Sequence, residues 1–573
     1  MSFASLRDQR RAKDAKSLLK STGSAPQNHV ARRNGWPVVP NDPYELSESL
    51  EIRKSPSAGR TLFSRTLFNP GSVVLSCRPH VHVISNSRIS SHCATCCTEV
   101  SETVSLKRCS KCAVAYYCST ACQNADWPMH KPECVSLRDW AKSAPDPGVA
   151  IPGEAVRCLG RVLRLREREG YASKWTKQMS SMQSLRQNLP SSAAESHTHI
   201  AHALVRYLGI SGPEGLNKYG ITSAGDLVDI VSQFTTNSFT LSSSSLSPIG
   251  VCISPTVALA NHSCDPNAVV VFPRPSGTTL QEPVMQIIAF KNISPGEEIL
   301  TSYVDTSQPR HLRRQDLRET YGFTCACDLC EGRDNNADAD PRYCVWCPKE
   351  CGGKCSLAEL DDQQLECFRC QAKYEATAQE EVLDRVRLAT EALEKATQLE
   401  LSDPARALRM TTNMLALVNM PYSSHPLLGL LRLHVALLIT SLSSSSTPSD
   451  RTLTEAITTG FRVQHGLHDV LPAGHPVRGI SLFELGKLLA MDPPPGEEDH
   501  REAEMIPPHG PQRLALAMST LVQAREELRV GFGASGELVG QVDALLKELE
   551  REVQVWRQGV RNVLQTGSII SST

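Results

Sequence analysis

The sequence predicts a multidomain α+β protein, in which a β-rich part is interrupted by a metal-binding segment and followed by an all-α C-terminal region. Three observations support this prediction. At 573 residues the chain is too long for one hydrophobic core, and typical domain sizes give about three or four compact units. Most of its 21 cysteines crowd into three clusters, residues 93–134, 325–330 and 344–370, and none follows Cys370. Beyond residue 379, apolar residues recur at helical spacing.

Composition excludes several classes of protein. The chain has 60 Lys and Arg against 61 Asp and Glu, so no overall field attracts nucleic acid or a membrane. No run approaches the ~20 apolar residues of a membrane span, and the polar start of the chain is no secretory signal. We therefore expect an intracellular protein without membrane association. In a reducing compartment such cysteine clusters bind metal more often than they form disulfides, so zinc is the first expected cofactor.

Residues 1–55 are predicted to form a weakly ordered basic tail. An amphipathic helix and a weak mitochondrial or nuclear address are the alternatives for its first part. Residues 56–92 then open the β-rich part, since residues 59–64 and 70–76 read as two strands around a turn at Asn69-Pro70-Gly71. We predict that these two strands form a β-hairpin.

Residues 93–134 carry the strongest metal signal. Eight Cys or His residues at x2 and x3 spacing suit two tetrahedral zinc ions. The segment has few large apolar side chains, so metal binding should drive its folding, and Cys97 is expected to be a spare. The predicted ligands are Cys93, Cys96, Cys109, Cys112, Cys118, Cys122, His130 and Cys134.

A helical insert is predicted over residues 135–236, and a β-rich core over residues 237–305. Within the core, residues 261–267 (Asn-His-Ser-Cys-Asp-Pro-Asn) place dense polar groups between apolar runs. Such groups need partners, in a ligand or in a well-bonded turn, and both readings stay open from the residues alone. Residues 306–331 end in Cys325, Cys327 and Cys330, for which Cys264 is a sensible fourth zinc ligand.

The last third of the chain begins with a second Cys-rich segment. Residues 342–372 are predicted to be a zinc ribbon. Cys351 and Cys355 leave the ligand choice open, and we favour the outer pairs Cys344, Cys347, Cys367 and Cys370. Residues 379–573 are predicted to be helical, and paired helices joined by similar loops indicate a TPR-like array.

The order of these motifs resembles SET-and-MYND (SMYD-type) lysine methyltransferases over about residues 56–331. The resemblance lies in five features: Gly59-Arg60, the eight-ligand insertion, the motif at 261–267, Gly296-Glu297-Glu298-Ile299 with Ser302-Tyr303, and Cys325-x-Cys327-x2-Cys330. It implies a SET fold with a pseudo-knot, split by a MYND zinc finger at 93–134 and the helical insert. It also implies that residues 306–331 are a post-SET zinc region.

The resemblance implies an S-adenosylmethionine-dependent protein-lysine N-methyltransferase. Tyr303 would be the catalytic tyrosine, and Tyr321 and Phe323 would line the lysine channel and the adenine pocket. The donor would be held by Arg60, Asn237, Asn261 and the backbone of His262. In the finger, the implied cross-brace pairs Cys93, Cys96, Cys118 and Cys122 on one ion and Cys109, Cys112, His130 and Cys134 on the other.

One residue departs from the family pattern. Thr61 stands where the family has a glycine, and a β-branched residue is a poor substitute if that position needs φ > 0. We therefore consider an alternative of another class: an adaptor with a catalytically weak SET core, binding proteins through the finger and the helical domain.

The resemblance also implies the partners. We expect a histone or non-histone protein substrate with a target lysine, and proline-rich peptides at the finger. We expect no direct DNA binding, a monomer, and a location in the nucleus and cytoplasm.

Overall fold

The described residues fall into two compact units. The first contains the described residues up to Tyr303 together with residues 315–325, and the second contains residues 304–314 and those from 326 onward. The computed structural model describes residues 37–39, 43–55, 59–188, 191–274, 282–331, 340–357, 364–444, 450–491, 506–507 and 510–570. The first 36 residues of the predicted tail lie outside these ranges.

The strands of the first unit are short and form several small sheets. The strands are β1 (Val38–Val39), β2 (Leu50–Ser55), β3 (Gly59–Ser64), β4 (Val73–Cys77), β5 (Val81–Ile84), β6 (Lys107–Arg108), β7 (Tyr116–Tyr117), β8 (Ser238–Ser242), β9 (Pro248–Ile253), β10 (Asn261–His262), β11 (Ala268–Val271), β12 (Met285–Ala289) and β13 (Leu300–Thr301). The antiparallel sheets have the orders β1-β2-β3, β11-β12-β4, β5-β9-β8 and β6-β7, whereas β10 and β13 pair in parallel.

Two predictions about the start of the β-rich part are wrong. The tail does not extend to residue 55, because β2 pairs with β3 and buries Leu50 and Ile52 in the core. The predicted hairpin is also absent among the described residues. A turn does form, with Ser72 donating to Asn69, but β3 pairs with β2 and β4 pairs with β12. Local turn signals indicate where strands end, but they do not say which strands pair.

Helices of the first unit pack around these sheets. Helix α2 (Glu154–Glu169) lies against β5 and β9 through an apolar stripe that includes Leu159, Val162 and Leu163, all buried. The helices are α1 (Thr120–Lys142), α2 (Glu154–Glu169), α3 (Lys174–Ser180), α4 (Ser191–Tyr207), α5 (Glu214–Asn217) and α6 (Ala224–Asn237). Helix α7 (Arg310–Tyr321) follows β13, and only its part from residue 315 belongs to the first unit.

The second unit is mainly helical. After α8 (Asp328–Glu331), the strands β14 (Cys344–Trp346) and β15 (Lys354–Ser356) form a small hairpin. Each later helix packs on its successor, as in a repeat array, although the TPR-like assignment stays a prediction. These helices are α9 (Ala376–Leu399), α10 (Pro404–Leu417), α11 (Leu427–Ser444), α12 (Asp450–Val470), α13 (Pro476–Ala490), α14 (Pro511–Gly531) and α15 (Glu537–Ile570). Among the described helices, none combines the length and apolarity of a membrane span.

Candidate functional site

The eight predicted finger ligands come together in two quartets. The first is Cys93, Cys96, Cys118 and Cys122, and the second is Cys109, Cys112, His130 and Cys134. Within each quartet the ligand atoms lie within 4.8 Å of one another. Two sulfurs bound tetrahedrally to one zinc ion are about 3.8 Å apart, because a Zn–S bond is about 2.3 Å long. The sulfurs of Cys118 are 3.5 and 3.6 Å from those of Cys96 and Cys122, and those of Cys109 and Cys134 are 3.9 Å apart. Both donor sets therefore fit a tetrahedral zinc ion.

The backbone shapes each Cys-x2-Cys pair into a tight knuckle. Cys97 and Ala113 follow the two pairs, and their φ values are 60° and 59°. Their amides donate to Cys93 and Cys109, respectively. A left-handed conformation at a residue other than glycine is costly, so it is maintained only where the surroundings require it. Cys97, the predicted spare, is thus the residue that closes the first knuckle.

Helix α1 supplies one ligand of the first quartet, Cys122, and two of the second, His130 and Cys134. It begins after Ser119, whose hydroxyl accepts from the amide of Cys122 at 3.2 Å. Successive turns of the helix then present Cys122, His130 and Cys134, since residues three to four apart share a helix face. One helix thereby connects the two sites, in a segment that has too few large apolar side chains to hold them together by packing.

The Cys-rich hairpin of the second unit corrects one predicted ligand. Cys347, Cys351, Cys367 and Cys370 bring their sulfurs within 4.8 Å of one another, so Cys351 stands where Cys344 was predicted. Cys344 lies in the extended strand β14, three residues before Cys347. At roughly 3.3 Å per residue, that places it about 10 Å away, too far to share an ion. Its sulfur instead lies 3.7 Å from the carbonyl oxygen of Pro341.

The motif at residues 261–267 joins two distant parts of the chain. Asn261 pairs with Leu300, and His262 pairs with Thr301, in the parallel ladder of β10 and β13. Asn267 reinforces this pairing, because its amide nitrogen donates to the carbonyl oxygen of Glu298 at 2.9 Å and its Oδ1 accepts from the amide of Leu300 at 2.9 Å. A parallel pair needs a crossover connection, as the predicted pseudo-knot would provide.

Thr61 does not occupy a left-handed position. It lies in β3 opposite Arg53, and the residue with positive φ is Gly59, at 72°. The Thr61 side chain is fully buried, and its hydroxyl donates to Oε1 of Glu298 at 2.6 Å. The same Oε1 accepts from the Asn261 amide at 3.2 Å. The conformational objection to Thr61 is therefore wrong, since an extended strand accommodates a β-branched residue well.

Four aromatic rings lie together beside the parallel ladder of β10 and β13. The centroid of the His262 ring is 5.3 Å from that of Tyr303 and 5.9 Å from that of Phe323. Tyr321 lies 4.9 Å from Tyr303 and 6.5 Å from Phe323. Phe323 is 36% exposed, so solvent reaches this end of the cluster. The sequence-predicted residues His262, Tyr303, Tyr321 and Phe323 are thus brought together; we call them the aromatic cluster.

Tyr303 is held at both its backbone and its hydroxyl. Its amide donates to Nδ1 of His262 at 3.0 Å, and its hydroxyl donates to the carbonyl oxygen of Ala260 at 2.9 Å. Burial raises the pKa of the Tyr303 phenol well above its usual range, and the neighbouring Tyr321 and Glu298 act in the same direction. The phenol is therefore neutral at physiological pH and able to donate or accept a hydrogen bond.

The other two predicted donor-binding residues are engaged by the protein itself. The Arg60 guanidinium bonds the Tyr44 hydroxyl at 3.0 Å and the carbonyl oxygen of Ser181. Asn237 ends helix α6, and its amide nitrogen donates to the carbonyl oxygens of Gln183 and Gln233 at 3.1 and 2.8 Å. These contacts fix both side chains, and a role in binding a donor stays a prediction.

The cysteines of the third predicted zinc set belong to different units. Cys264 and Cys325 lie in the first unit, with their sulfurs within 4.8 Å of each other. Cys327 and Cys330 lie in the second unit and meet the same distance limit. Nε2 of His262 is 3.3 Å from the Cys264 sulfur. The four-cysteine site stays a prediction.

Comparison with known proteins identifies the metal-binding segment. A family model for the MYND finger matches residues 93–134. These residues form a MYND finger. Its matched range coincides with the segment bounded by the first and last predicted ligands, Cys93 and Cys134. Zinc is therefore a cofactor of this chain.

Curated relatives extend the similarity beyond the MYND finger. The N-lysine methyltransferase SMYD2-B of Xenopus laevis is 32% identical over 50% of this chain and 62% of its own length. Human N-lysine methyltransferase SMYD2 is 30% identical over 50% of this chain and 61% of its own length. The histone-lysine N-methyltransferase ASHR1 of Arabidopsis thaliana is 25% identical over 88% of this chain and 96% of its own. The chain thus spans less than two thirds of each SMYD2 relative.

These similarities confirm the predicted resemblance to SET-and-MYND methyltransferases and the multidomain α+β architecture. A crystal structure of the SET domain of LSMT bound to lysine and AdoHcy aligns over 90% of this chain at 13% identity, with a TM-score of 0.24. A TM-score this low carries no argument about the site.

Sequence reasoning missed the buried polar residues that support the MYND finger and the motif at residues 261–267. Asp126 and Glu133 on α1 form ion pairs with Arg161 on α2, with shortest distances of 3.1 and 2.6 Å. Glu298 was noted only as part of a motif, yet it receives hydrogen bonds from Thr61 and Asn261. The spacing of Glu133 three residues after His130 was the available signal, because that spacing places both on one helix face.

Proposed function

We propose that this protein is an S-adenosylmethionine-dependent protein-lysine N-methyltransferase. The observation that carries the proposal is the aromatic cluster around Tyr303, whose neutral phenol is anchored to a backbone carbonyl. The cluster lies beside the Asn261–Glu298 hydrogen bond, where the resemblance expects the methyl donor. The names of the curated relatives support the same reaction class.

The aromatic cluster suits a reaction between an amine and a sulfonium. S-adenosylmethionine, when bound, supplies a methyl carbon carried on a positively charged sulfur. Aromatic faces attract cations, and they also remove water from a lysine side chain that enters among them. Desolvation lowers the pKa of a lysine ammonium, which matters because forming the neutral amine at pH 7 from a pKa of about 10.4 costs roughly 4–5 kcal/mol.

Tyr303 then has a positioning role at the reacting nitrogen. Its hydroxyl hydrogen is directed to the Ala260 carbonyl oxygen, so the phenol oxygen presents its lone pairs to an N–H of the substrate amine. A bound donor would supply its methyl carbon to the amine nitrogen held there and would leave as the uncharged thioether, while the proton lost from the nitrogen would pass to water. Holding both reactants in line supplies a large part of the rate.

The supporting residues preorganise the donor side. Glu298 fixes the amide plane of Asn261, and Thr61 in turn holds Glu298. A donor would therefore meet an amide that is already oriented, which reduces the ordering needed on binding. Asn237 and the backbone at His262 complete the proposed donor contacts, and Arg60 contributes by fixing the start of β3, the strand that contains Thr61.

The test measures cofactor binding and methyl transfer separately. The zinc-loaded chain is incubated with labelled S-adenosylmethionine and a mixture of histones and whole-cell protein, and donor affinity is measured by calorimetry. Tyr303→Phe should bind the donor as wild type does but lose transfer by about 100-fold, the scale expected from losing alignment.

Tyr171→Phe is the matched control, because Tyr171 is exposed and its hydroxyl also donates to a backbone carbonyl, that of Lys218 at 2.6 Å. It should leave transfer unchanged. Absence of donor binding by the wild-type chain would contradict the proposal and favour the adaptor reading.

Further features of this function are part of the same proposal. The substrate is a lysine of a histone or another protein, and proline-rich peptides bind the MYND finger of a monomer in the nucleus and cytoplasm. Four zinc ions are proposed: two in the finger and one on the corrected set that includes Cys351. The fourth, on Cys264, Cys325, Cys327 and Cys330, rests on the family resemblance alone.

A further inference from the structure

A buried cluster of charged side chains lies behind the second zinc quartet of the MYND finger. The Arg161 guanidinium on α2 binds both oxygens of Glu133 at 2.6–3.1 Å, and it also contacts both oxygens of Asp126 at 3.1 and 3.3 Å. Tyr117 donates to Asp126 at 2.8 Å, and Tyr207 donates to Glu133 at 3.4 Å. All five side chains are buried.

His130 stands between this cluster and the thiols. Its Nε2 is 3.6 Å from the sulfur of Cys112, so this nitrogen faces the metal site. Its Nδ1 is buried and has no hydrogen-bond partner among the described residues. Oε2 of Glu133 lies 3.7 Å from that Nδ1, within ion-pair range but beyond hydrogen-bond length. An imidazole that binds zinc through one nitrogen carries its hydrogen on the other, which then needs an acceptor.

The charges of the cluster favour the same pairing. Two carboxylates share the Arg161 guanidinium, so Glu133 has no ion-pair partner of its own in this arginine, and the nearby buried Arg157 interacts with it without a hydrogen bond among the described contacts. A buried charge needs a partner. Zinc binding withdraws electron density from His130 and makes its Nδ1–H a stronger donor, and that donor faces the carboxylate of Glu133.

We propose that Glu133 is a positioning residue for the zinc ligand His130, and that Arg161 holds Glu133 in place. Retention of the second zinc ion of the MYND finger thus depends on a residue of α2, a helix that lies outside the finger. Loss of this zinc would in turn weaken the seating of α2 against α1. The finger and the helical insert are therefore coupled through Glu133 and Arg161.

The experiment uses the full zinc-loaded chain and follows zinc transfer to a chromophoric chelator. For Glu133→Gln, one zinc equivalent should be lost with affinity reduced 10- to 100-fold, the range seen when outer-sphere partners of metal ligands are removed. The remaining equivalents should be released as in wild type. After cobalt replaces zinc, the absorption of the three-cysteine, one-histidine site should change, while that of the all-cysteine sites stays the same.

Two further variants separate positioning from general stability. Glu51→Gln is the matched control, because Glu51, like Glu133, is a buried carboxylate in an arginine ion pair, but belongs to no metal quartet found among the described residues. Its partners are Arg53 at 2.5 Å and Arg65 at 2.8 Å. Glu51→Gln should leave zinc release unchanged. Glu133→Asp keeps the charge and tests the proposal if Glu133→Gln fails to fold; it should give an intermediate rate for the same single equivalent.

The proposal is overturned by either of two results. One is release of all zinc equivalents in parallel with unfolding in both Glu133 variants. The other is an identical change in zinc release for Glu51→Gln. Faster loss of one equivalent with the altered cobalt spectrum, in the Glu133 variants alone, supports it.

Discussion

Replacing Thr61 by glycine should lower the stability of the fold and the affinity for the methyl donor, although glycine is the residue that the family pattern has at this position. Thr61 lies in strand β3, not at a left-handed position, and its buried hydroxyl donates to Glu298 at 2.6 Å. Glu298 also accepts from Asn261, the proposed donor-binding amide. The hydroxyl therefore acts on stability and, through Glu298, on the donor site.

The magnitude follows from three terms. Losing a hydrogen bond to a charged, buried partner costs about 1.5–3 kcal/mol. Glycine inside a strand costs roughly 0.5–1 kcal/mol more. Removing the buried methyl group adds about 0.8 kcal/mol. Thr61→Gly should thus lose about 3–5 kcal/mol, Thr61→Val only the first term, and Thr61→Ser little more than the methyl term.

Amide hydrogen exchange of β3 and β13 measures this loss locally, which is preferable in a chain of several units that need not unfold in one step. Calorimetry with S-adenosylmethionine measures the donor site in parallel. Donor affinity should fall in Thr61→Gly and Thr61→Val and persist in Thr61→Ser. A Thr61→Gly variant that keeps its exchange protection and binds the donor tenfold more tightly would refute the reasoning.

Three further predictions concern other parts of the chain. Cys351→Ser should lower zinc content by one equivalent, whereas Cys344→Ser should leave it unchanged; elemental analysis distinguishes the two. Burial alone would raise the pKa of Asp305, but the charge of Arg432, 3.1 Å away, and bonds from a nearby serine lower it to about 2. A carboxyl group with a lowered pKa stabilises the folded state above about pH 4, and this stabilisation is lost as the pH falls toward 2. Arg432→Met should therefore lower the free energy of unfolding above about pH 4 by about 1 kcal/mol or less, because the pair is partly exposed. Acid unfolding should then begin at a higher pH. Because the pKa of Tyr303 is raised, its phenol stays neutral below about pH 10, and the transfer rate should rise with pH up to that point as the substrate amine loses its proton.

The metal sites of the finger were accessible to sequence reasoning because their chemistry is local. Zinc needs four ligands that converge, and x2 or x3 spacing lets a knuckle or one helical turn provide two of them. The structure brings together the same two quartets that the resemblance implied. The order of the motifs was also enough to select Tyr303, Tyr321, Phe323 and His262 as candidate site residues. It did not predict how their rings pack against one another.

The predicted ligand set of the zinc ribbon was wrong for a reason that cysteine spacing does not reveal. Cys344-x2-Cys347 and Cys367-x2-Cys370 have the same spacing, but only the second pair forms a knuckle, in which Gln371 has φ of 57° and donates to Cys367. The first pair starts inside β14, where the backbone is extended. Strand pairing, a tertiary property, decides between the two conformations.

Side chains that meet only in the folded protein were the least predictable. Arg161 follows Glu133 by 28 residues and lies on another helix. The apolar spacing of α2 carried no signal that an arginine among these residues would be buried. Thr61 was misjudged in the same way, because the carboxylate that explains it stands 237 residues further along the chain.

The identity of the methylated residue tests the central claim most directly. The zinc-loaded chain is incubated with S-adenosylmethionine carrying a trideuterated methyl group and with cell protein, and modified peptides are sequenced by mass spectrometry. The proposed function predicts labelled methyl groups on lysine nitrogen, formed in step with S-adenosylhomocysteine and lost with Tyr303→Phe. Label on other residues, or label that Tyr303→Phe leaves unchanged, would contradict it.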